Sequence, residues 1–133
     1  MMKSKKPRKQ RKFIFNAPLH IRHKLLSVHL AKNLIKQWKK RSLPVRSGDE
    51  VKVMKGEFKG TIGKISNVDM KRLKVYVENV KRRRVSGEEI HVPLRASNLL
   101  LLNPVTDDKR RLDVINKTKK VKKVGKTKKT SGA

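Results

Sequence analysis

Six cations, Lys5, Lys6, Arg8, Lys9, Arg11 and Lys12, fall within eight consecutive positions, with Lys3 just ahead of them. So dense a run can neutralise phosphates and release their counterions. His20, Arg22, His23 and Lys24 extend it. His20 and His23 stand three apart, a spacing that on a helix can bind a metal. No carboxylate precedes Asp49, however, and the chain has no cysteine. The pair is read as phosphate or base contacts, with no metal site and no cofactor expected. Phe13, Ile14 and Phe15 interrupt the charge. Two aromatics beside a basic run can stack on unpaired bases or dock the arm onto the rest of the fold, and docking is the expectation.

Catalytic constellations are not visible. Glu88-Glu89 and Asp107-Asp108 are adjacent acidic pairs in basic surroundings and read as solvated turns or ion pairs. Asp49 and Glu50 likewise have cations at hand to pair them. The loop Met54-Lys55-Gly56-Glu57-Phe58-Lys59-Gly60 resembles a phosphate cradle only superficially, since a Walker loop needs Gly-Lys-Ser/Thr opening a helix. Here Thr61 follows Gly60. With no nucleophile, base and orienting group in view, the chain is not expected to be an enzyme.

The charge is unevenly spread. Of 133 residues, 38 are Lys or Arg and 10 are Asp or Glu, a net +28. Residues 1–48 contain fifteen cations and no carboxylate; residues 49–105 carry a net +5 and residues 106–133 a net +8. Such self-repulsion disfavours a compact free chain and reads as polyanion binding. No apolar run approaches the roughly twenty residues of a membrane span. The basic start lacks the apolar core of a secretory signal, and a cysteine-free chain is most simply cytosolic.

The elements that must position these cations divide the chain into a basic arm (1–15), short helices (16–42), a β unit (43–105) and a basic tail (106–133). Little apolar mass offsets the entropy of ordering the arm. Asn16-Ala17-Pro18 reads as a helix start, an N-cap followed by proline in the first turn. Ile21, Leu25 and Leu26 form one stripe, and Leu30, Leu34, Ile35 and Trp38 another. They do not merge, which predicts two helices broken near Ser27–Leu30.

In the β unit, Val51 and Val53 alternate with polar neighbours, as do Leu73, Val75 and Val77, the period of half-buried strands. Gly60 and Gly63 suit a sharp turn or the close approach of another backbone. Lys81–Glu89 reads as a hairpin loop turned by Gly87. Ile90 to Leu94 and Asn98–Asn103, apolar throughout Leu99–Leu102, are further strands, the last covered on both sides. Five short strands separated by glycine-bearing turns favour a mainly β fold closed as a small barrel. Residues 106–116 suit one or two helical turns, and 117–133 has the composition of a disordered tail.

The stretch Gly48–Val80, with Gly48-Asp49, the alternating valines, Gly56, Lys59-Gly60, Gly63 and Val75–Val77, resembles the KOW motif of ribosomal proteins and transcription elongation factors. The flanks Lys6–Lys12, Asn16–His20, Arg41–Val53 and Pro93–Asn98 are similar to the archaeal and eukaryotic form of the KOW-containing large-subunit ribosomal proteins. The resemblance covers about residues 3 to 112. It implies a five-stranded SH3-like barrel and a structural role in the large ribosomal subunit. It also implies partners in large-subunit ribosomal RNA, near its 5′ region and the nascent-chain exit, and in neighbouring ribosomal proteins, with a part in assembly.

Candidate RNA contacts are therefore Lys5, Lys6, Arg8, Lys9, Arg11, Lys12, His20, Arg22, His23 and Lys24 from the arm and helices, with Lys55, Lys59, Arg82 and Arg83 from the β-unit loops. An aromatic content of only 4% agrees with recognition of shape and phosphate. A KOW module of an elongation factor is the alternative, though those modules usually accompany a companion domain. An architectural DNA-binding protein would explain the charge but not the glycine loop.

Overall fold

The computed structural model describes residues 4–116. Helix α1 (Pro7–Asn16) opens the chain with proline in its first turn, where the fixed φ suits a helix and the missing N–H is not needed. Lys, Arg and Gln are good helix formers, and the arm is helical rather than irregular. It buries no residue. The helix stops before Pro18, whose ring disfavours helical angles at Ala17 (φ −64°, ψ 131°). Asn16 thus ends one helix instead of capping the next, and α2 (Leu19–Leu25) starts after Pro18.

The expected break after α2 is real, but it is a β-strand. Strand β1 (Ser27–Leu30) pairs antiparallel with β2 (Ser42–Pro44) and parallel with β8 (Leu99–Asn103). Helix α3 (Lys32–Trp38) lies between β1 and β2 and ends on Lys39 in the left-handed conformation, φ 54°. Leu30 belongs to the strand and is buried, whereas Leu34, Ile35 and Trp38 of the same sequence stripe pack half-buried on the core.

The remaining strands are β3 (Glu50–Val53), β4 (Ile62–Asp69), β5 (Lys74–Val77), β6 (Lys81–Arg83) and β7 (Glu89–His91). Six strands form one sheet in the order β2-β1-β8-β3-β4-β5, and β6-β7 form a separate hairpin. The expected mainly β, five-stranded SH3-like barrel is corrected here: the fold is mixed α/β, and its main sheet is open, with β2 and β5 at the ends. Eight strands form where five were expected: β1 lay hidden in a helical stripe, β2 in the segment leading into the first strand, and β6 (Lys81–Arg83) in the stretch read as a hairpin loop. Instead of closing on β2, β5 bridges Val75 to Leu94, beyond the hairpin. Two reciprocal backbone bonds of 2.9 Å make that bridge.

The core is the inward face of the alternating strands: Val28, Leu30, Leu43, Val51, Val53, Ile65, Val75, Val77, Leu99 and Leu101. Strand β8 sits centrally, between the parallel β1 and the antiparallel β3. Leu99 and Leu101 are fully buried while Leu100 and Leu102 are half-covered, close to the two-sided burial read from the sequence.

Gly63 faces Val51 across β3 and β4. A Cβ there would lie 2.9 Å from Val77 Cγ1 and 3.1 Å from Asn79 Nδ2, so this glycine permits the close approach. Gly60 does something different. It adopts φ +94° with open space around its α-carbon, so Gly60→Val should cost about 1–3 kcal/mol of backbone strain without a clash. Chemical denaturation will show a lowered midpoint with an unchanged m-value; an unchanged midpoint would contradict the strained-turn account.

Residues 109–116 are helical and belong to the folded unit, so the segment assigned to a tail from 106 begins inside the fold. Ile115 is in the core and Arg111 is buried. The Arg111 guanidinium grips Asp49 with both ends, Nη1 donating to Oδ1 at 2.7 Å and Nη2 to Oδ2 at 2.6 Å. Nη1 also donates to the Val105 carbonyl at 2.8 Å and Nη2 to that of Pro44 at 3.2 Å. Asp49 is completely buried and accepts the backbone N–H groups of Arg46 and Val105, each at 2.9 Å. One ion pair therefore ties the β2–β3 connection to the C-terminal helical segment. The expected disordered stretch 117–133 lies outside the described residues.

Candidate nucleic-acid interface

Arg8, Lys9, Arg11 and Lys12 are displayed on α1, with Lys6 at its N-cap and Lys5 just ahead. Lys5, Lys6, Arg8, Lys9, Arg11 and Lys12 are all exposed. A 3.6-residue period spreads the four cations of α1 around the helix. With no acidic residue in its first turn, α1 forms a positive rod that can lie along a phosphate backbone.

His20 and Lys24 of α2 are also exposed. Arg22 is committed elsewhere. Its Nε donates to the Ala17 carbonyl at 2.8 Å, Nη2 to Phe15 at 2.6 Å and Nη1 to Lys71 at 3.2 Å. It is a clamp that holds the α1–α2 junction against the β4–β5 turn. That turn is itself fixed by Asp69 Oδ1, which accepts the N–H groups of Lys71 and Arg72 at 2.9 and 3.0 Å. Arg22 thus positions the arm, a role its place in a basic run concealed.

His23 is half-buried beside Arg46 in an open cleft of about 670 Å³, with Ser47, Asn67 and Asp108 also on its wall. Burial lowers its pKa below the ordinary 6.5, and the charges of Arg46 and Arg111 lower it further. At neutral pH His23 is therefore an uncharged donor and acceptor, suited to a base edge or hydroxyl rather than to phosphate neutralisation. Across the cleft, Arg46 pairs with Asp108 at 2.5 Å. The Arg110 backbone N–H, ahead of the Arg46 charge, holds the Asp108 carboxyl below its usual range.

The depressed His23 pKa has a measurable consequence. Between the folded pKa and 6.5 the unfolded chain binds a proton that the folded chain refuses, so stability rises with pH there. Stability should be full above about pH 6.5 and fall as pH drops through the folded value. In His23→Gln the difference in unfolding free energy between about pH 7.5 and about pH 5.5 should shrink. An unchanged difference would mean that His23 does not carry it.

The two loop pairs lie elsewhere on the β unit. Lys55 and Lys59 lie on the β3–β4 loop and Arg82 and Arg83 on β6, all exposed. Glu57, between the two lysines, pairs with Arg82 and links the loop to the β6–β7 hairpin. Lys81–Glu89 and Arg84–Glu88 bonds of 3.2 and 3.4 Å brace the hairpin. Its turn residue Gly87 has φ +93°, as the hairpin reading required. These salt bridges are exposed and individually weak; the Glu57–Arg82 pair joins the glycine loop to the hairpin, and the other two brace the hairpin itself.

Phe15 does not dock as expected. It is 81% exposed, and Ile14 and Leu19 beside it are also open. Among the described residues no group of three or more His, Cys, Asp or Glu is placed to hold a metal ion. None of the described helices is long and apolar enough to cross a membrane.

Curated proteins give the surface a context. The chain is 43% identical over 114 residues to the "Large ribosomal subunit protein uL24" of Methanosphaera stadtmanae, covering 86% of this chain and 97% of that protein. It is 40% identical over 114 residues to the protein of the same name from Pyrobaculum islandicum, covering 86% and 93% respectively. A family described as the eukaryotic ribosomal proteins L26 and their archaeal counterparts matches residues 4–118. An exposed cationic helix, two basic loops tied together and a match that spans all of the described residues converge on one assignment: the chain belongs to the uL24-type family of ribosomal proteins, which joins the eukaryotic L26 proteins to their archaeal counterparts.

Proposed function

We propose that this protein is a structural constituent of the large ribosomal subunit that binds large-subunit ribosomal RNA near its 5′ region and the nascent-chain exit, and that it acts in subunit assembly. The family is a structural, non-catalytic one, and its members serve translation. The observation that carries the reading is the relationship to proteins named for the large subunit, at 40–43% identity over 86% of the chain. The physical layout supports it. Fifteen cations without one carboxylate in residues 1–48 supply sequence-independent attraction to RNA. Lys55, Lys59, Arg82 and Arg83, held on a braced surface, can read the shape of a folded RNA.

In this reading Lys5, Lys6, Arg8, Lys9, Arg11, Lys12, His20 and Lys24 contact phosphate, and His23 meets a base or sugar. Arg22 contributes mainly by fixing α1. The partners are ribosomal RNA and neighbouring ribosomal proteins, on cytoplasmic ribosomes.

Density-gradient sedimentation of tagged protein from cell extract tests the proposal directly. The protein should migrate with the large subunit and remain there through a moderate salt wash. Migration with RNA polymerase would favour the elongation-factor alternative, and recovery in a chromatin fraction would favour DNA binding; either would overturn the ribosomal reading.

A further inference from the structure

We infer that Phe15 is a stacking platform for one unpaired RNA base, set in a groove that receives the adjoining phosphates on Arg11 and Lys71. The inference rests on the RNA-binding reading and adds a ligand class and a site to it.

Three observations carry it. Phe15 is 81% exposed at the C-terminal end of α1, with Leu19 58% exposed and Ile14 42% exposed on the same groove. Three large apolar side chains left open together form a patch that marks an interaction site. The groove, about 800 Å³, is rimmed by Arg11 and Lys71 and has no acidic residue on its lining. That charge suits a polyanion, and a nucleotide is the ligand that joins an aromatic face to a negative backbone.

The platform is also held in place. The Arg22 guanidinium binds the carbonyls of Phe15, Ala17 and Lys71 at 2.6, 2.8 and 3.2 Å. A single side chain therefore fixes the backbone beneath the ring and the turn that bears the rim lysine. An exposed phenylalanine on a free arm would lose entropy on stacking; one whose backbone is already ordered loses less. Stacking on an aromatic side chain contributes about 1–3 kcal/mol per base.

The test uses the full chain and a single-stranded RNA oligonucleotide carrying 2-aminopurine, with the same sequence as a duplex for comparison. Phe15→Ala should weaken single-strand binding roughly 5- to 150-fold, the conversion of that stacking range at about 1.36 kcal/mol per decade. The slope of affinity against salt should stay unchanged, because no phosphate contact is removed. Phe15→Trp should restore binding and 2-aminopurine quenching, while Phe15→Leu, apolar but without a π-face, should not. Duplex affinity should be the same for all four proteins.

Parent-like binding and quenching in Phe15→Ala would overturn the proposal while leaving the RNA-binding reading intact. So would an equal loss on duplex, or full rescue by Phe15→Leu. A parent protein that fails to bind ribosomal RNA at all would overturn both. If Phe15→Ala binds RNA normally but releases a neighbouring ribosomal protein from the subunit, the groove is a protein-docking face and the stacking assignment is wrong.

Discussion

Arg111→Ala is expected to destabilise the fold by about 3–5 kcal/mol, the usual result of removing one partner of a buried ion pair. The reason lies in what is left behind. Asp49 is fully buried, and in the variant it keeps two backbone N–H donors but loses both guanidinium contacts. The carbonyls of Pro44 and Val105 lose their Arg111 donor at the same time. At roughly 4–8 °C per kcal/mol for a small domain, the Tm should drop by at least about 12 °C.

Arg111→Lys should recover little, because one ammonium cannot span both carboxylate oxygens and two carbonyls. Asp49→Ala should be nearly as damaging, and the double variant much less than additive, since removing both partners leaves no buried charge unpaired. Calorimetry of the parent, Arg111→Ala, Asp49→Ala and the double variant decides it. An additive double variant would mean that the two residues act independently and that the pair is not the tie between the β2–β3 connection and the C-terminal helical segment.

The second large effect concerns binding. Replacing Lys5, Lys6, Arg8, Lys9, Arg11 and Lys12 with Gln should lower the slope of log K against log salt by up to about 4–5 units, at roughly 0.7–0.9 per phosphate lost. Helix α1 buries no residue, so the Tm of the variant should match the parent and the effect can be assigned to binding alone. Neutralising Lys55, Lys59, Arg82 and Arg83 should remove fewer slope units but more of the preference for cognate over scrambled ribosomal RNA, because a braced surface reads shape and a charged rod does not. The Arg82 change also unpairs Glu57, placing a free carboxylate where phosphate would approach. Filter binding at several salt concentrations measures both quantities. An unchanged slope in the arm variant would show that the arm does not engage phosphate.

How far these effects could be foreseen depends on the range of the interactions behind them. Charge is additive and needs no fold to be read, so the cationic start and the choice of a polyanion partner are written in residues 1–48. The period-two valines of 51–53 and 75–77 give β3 and β5 directly, because alternation is a property of neighbouring residues. Gly60 and Gly87 were legible for the same local reason, and both take positive φ.

What needed the tertiary structure involves partners far apart in the chain. Ser27–Leu30 carries too few residues to outvote the helical stripe around it, and it is a strand because Leu100 and Leu101, far along the chain, pair with it in parallel. Asp49 and Arg111 are 62 residues apart, and nothing local separates Arg111 from the surface cations beside it. Arg22 reads as one more cation of a basic run, and its three carbonyl acceptors come together only in the folded chain. Phe15 read as docking the arm; only the position of α1 on the β4–β5 turn left its ring in water. The sequence by itself determined the sign and placement of the charge and most of the strands. The folded chain decided which cations are spent on its own backbone and which remain free, because a guanidinium's partners are set by three-dimensional proximity and burial, and a linear pattern contains neither.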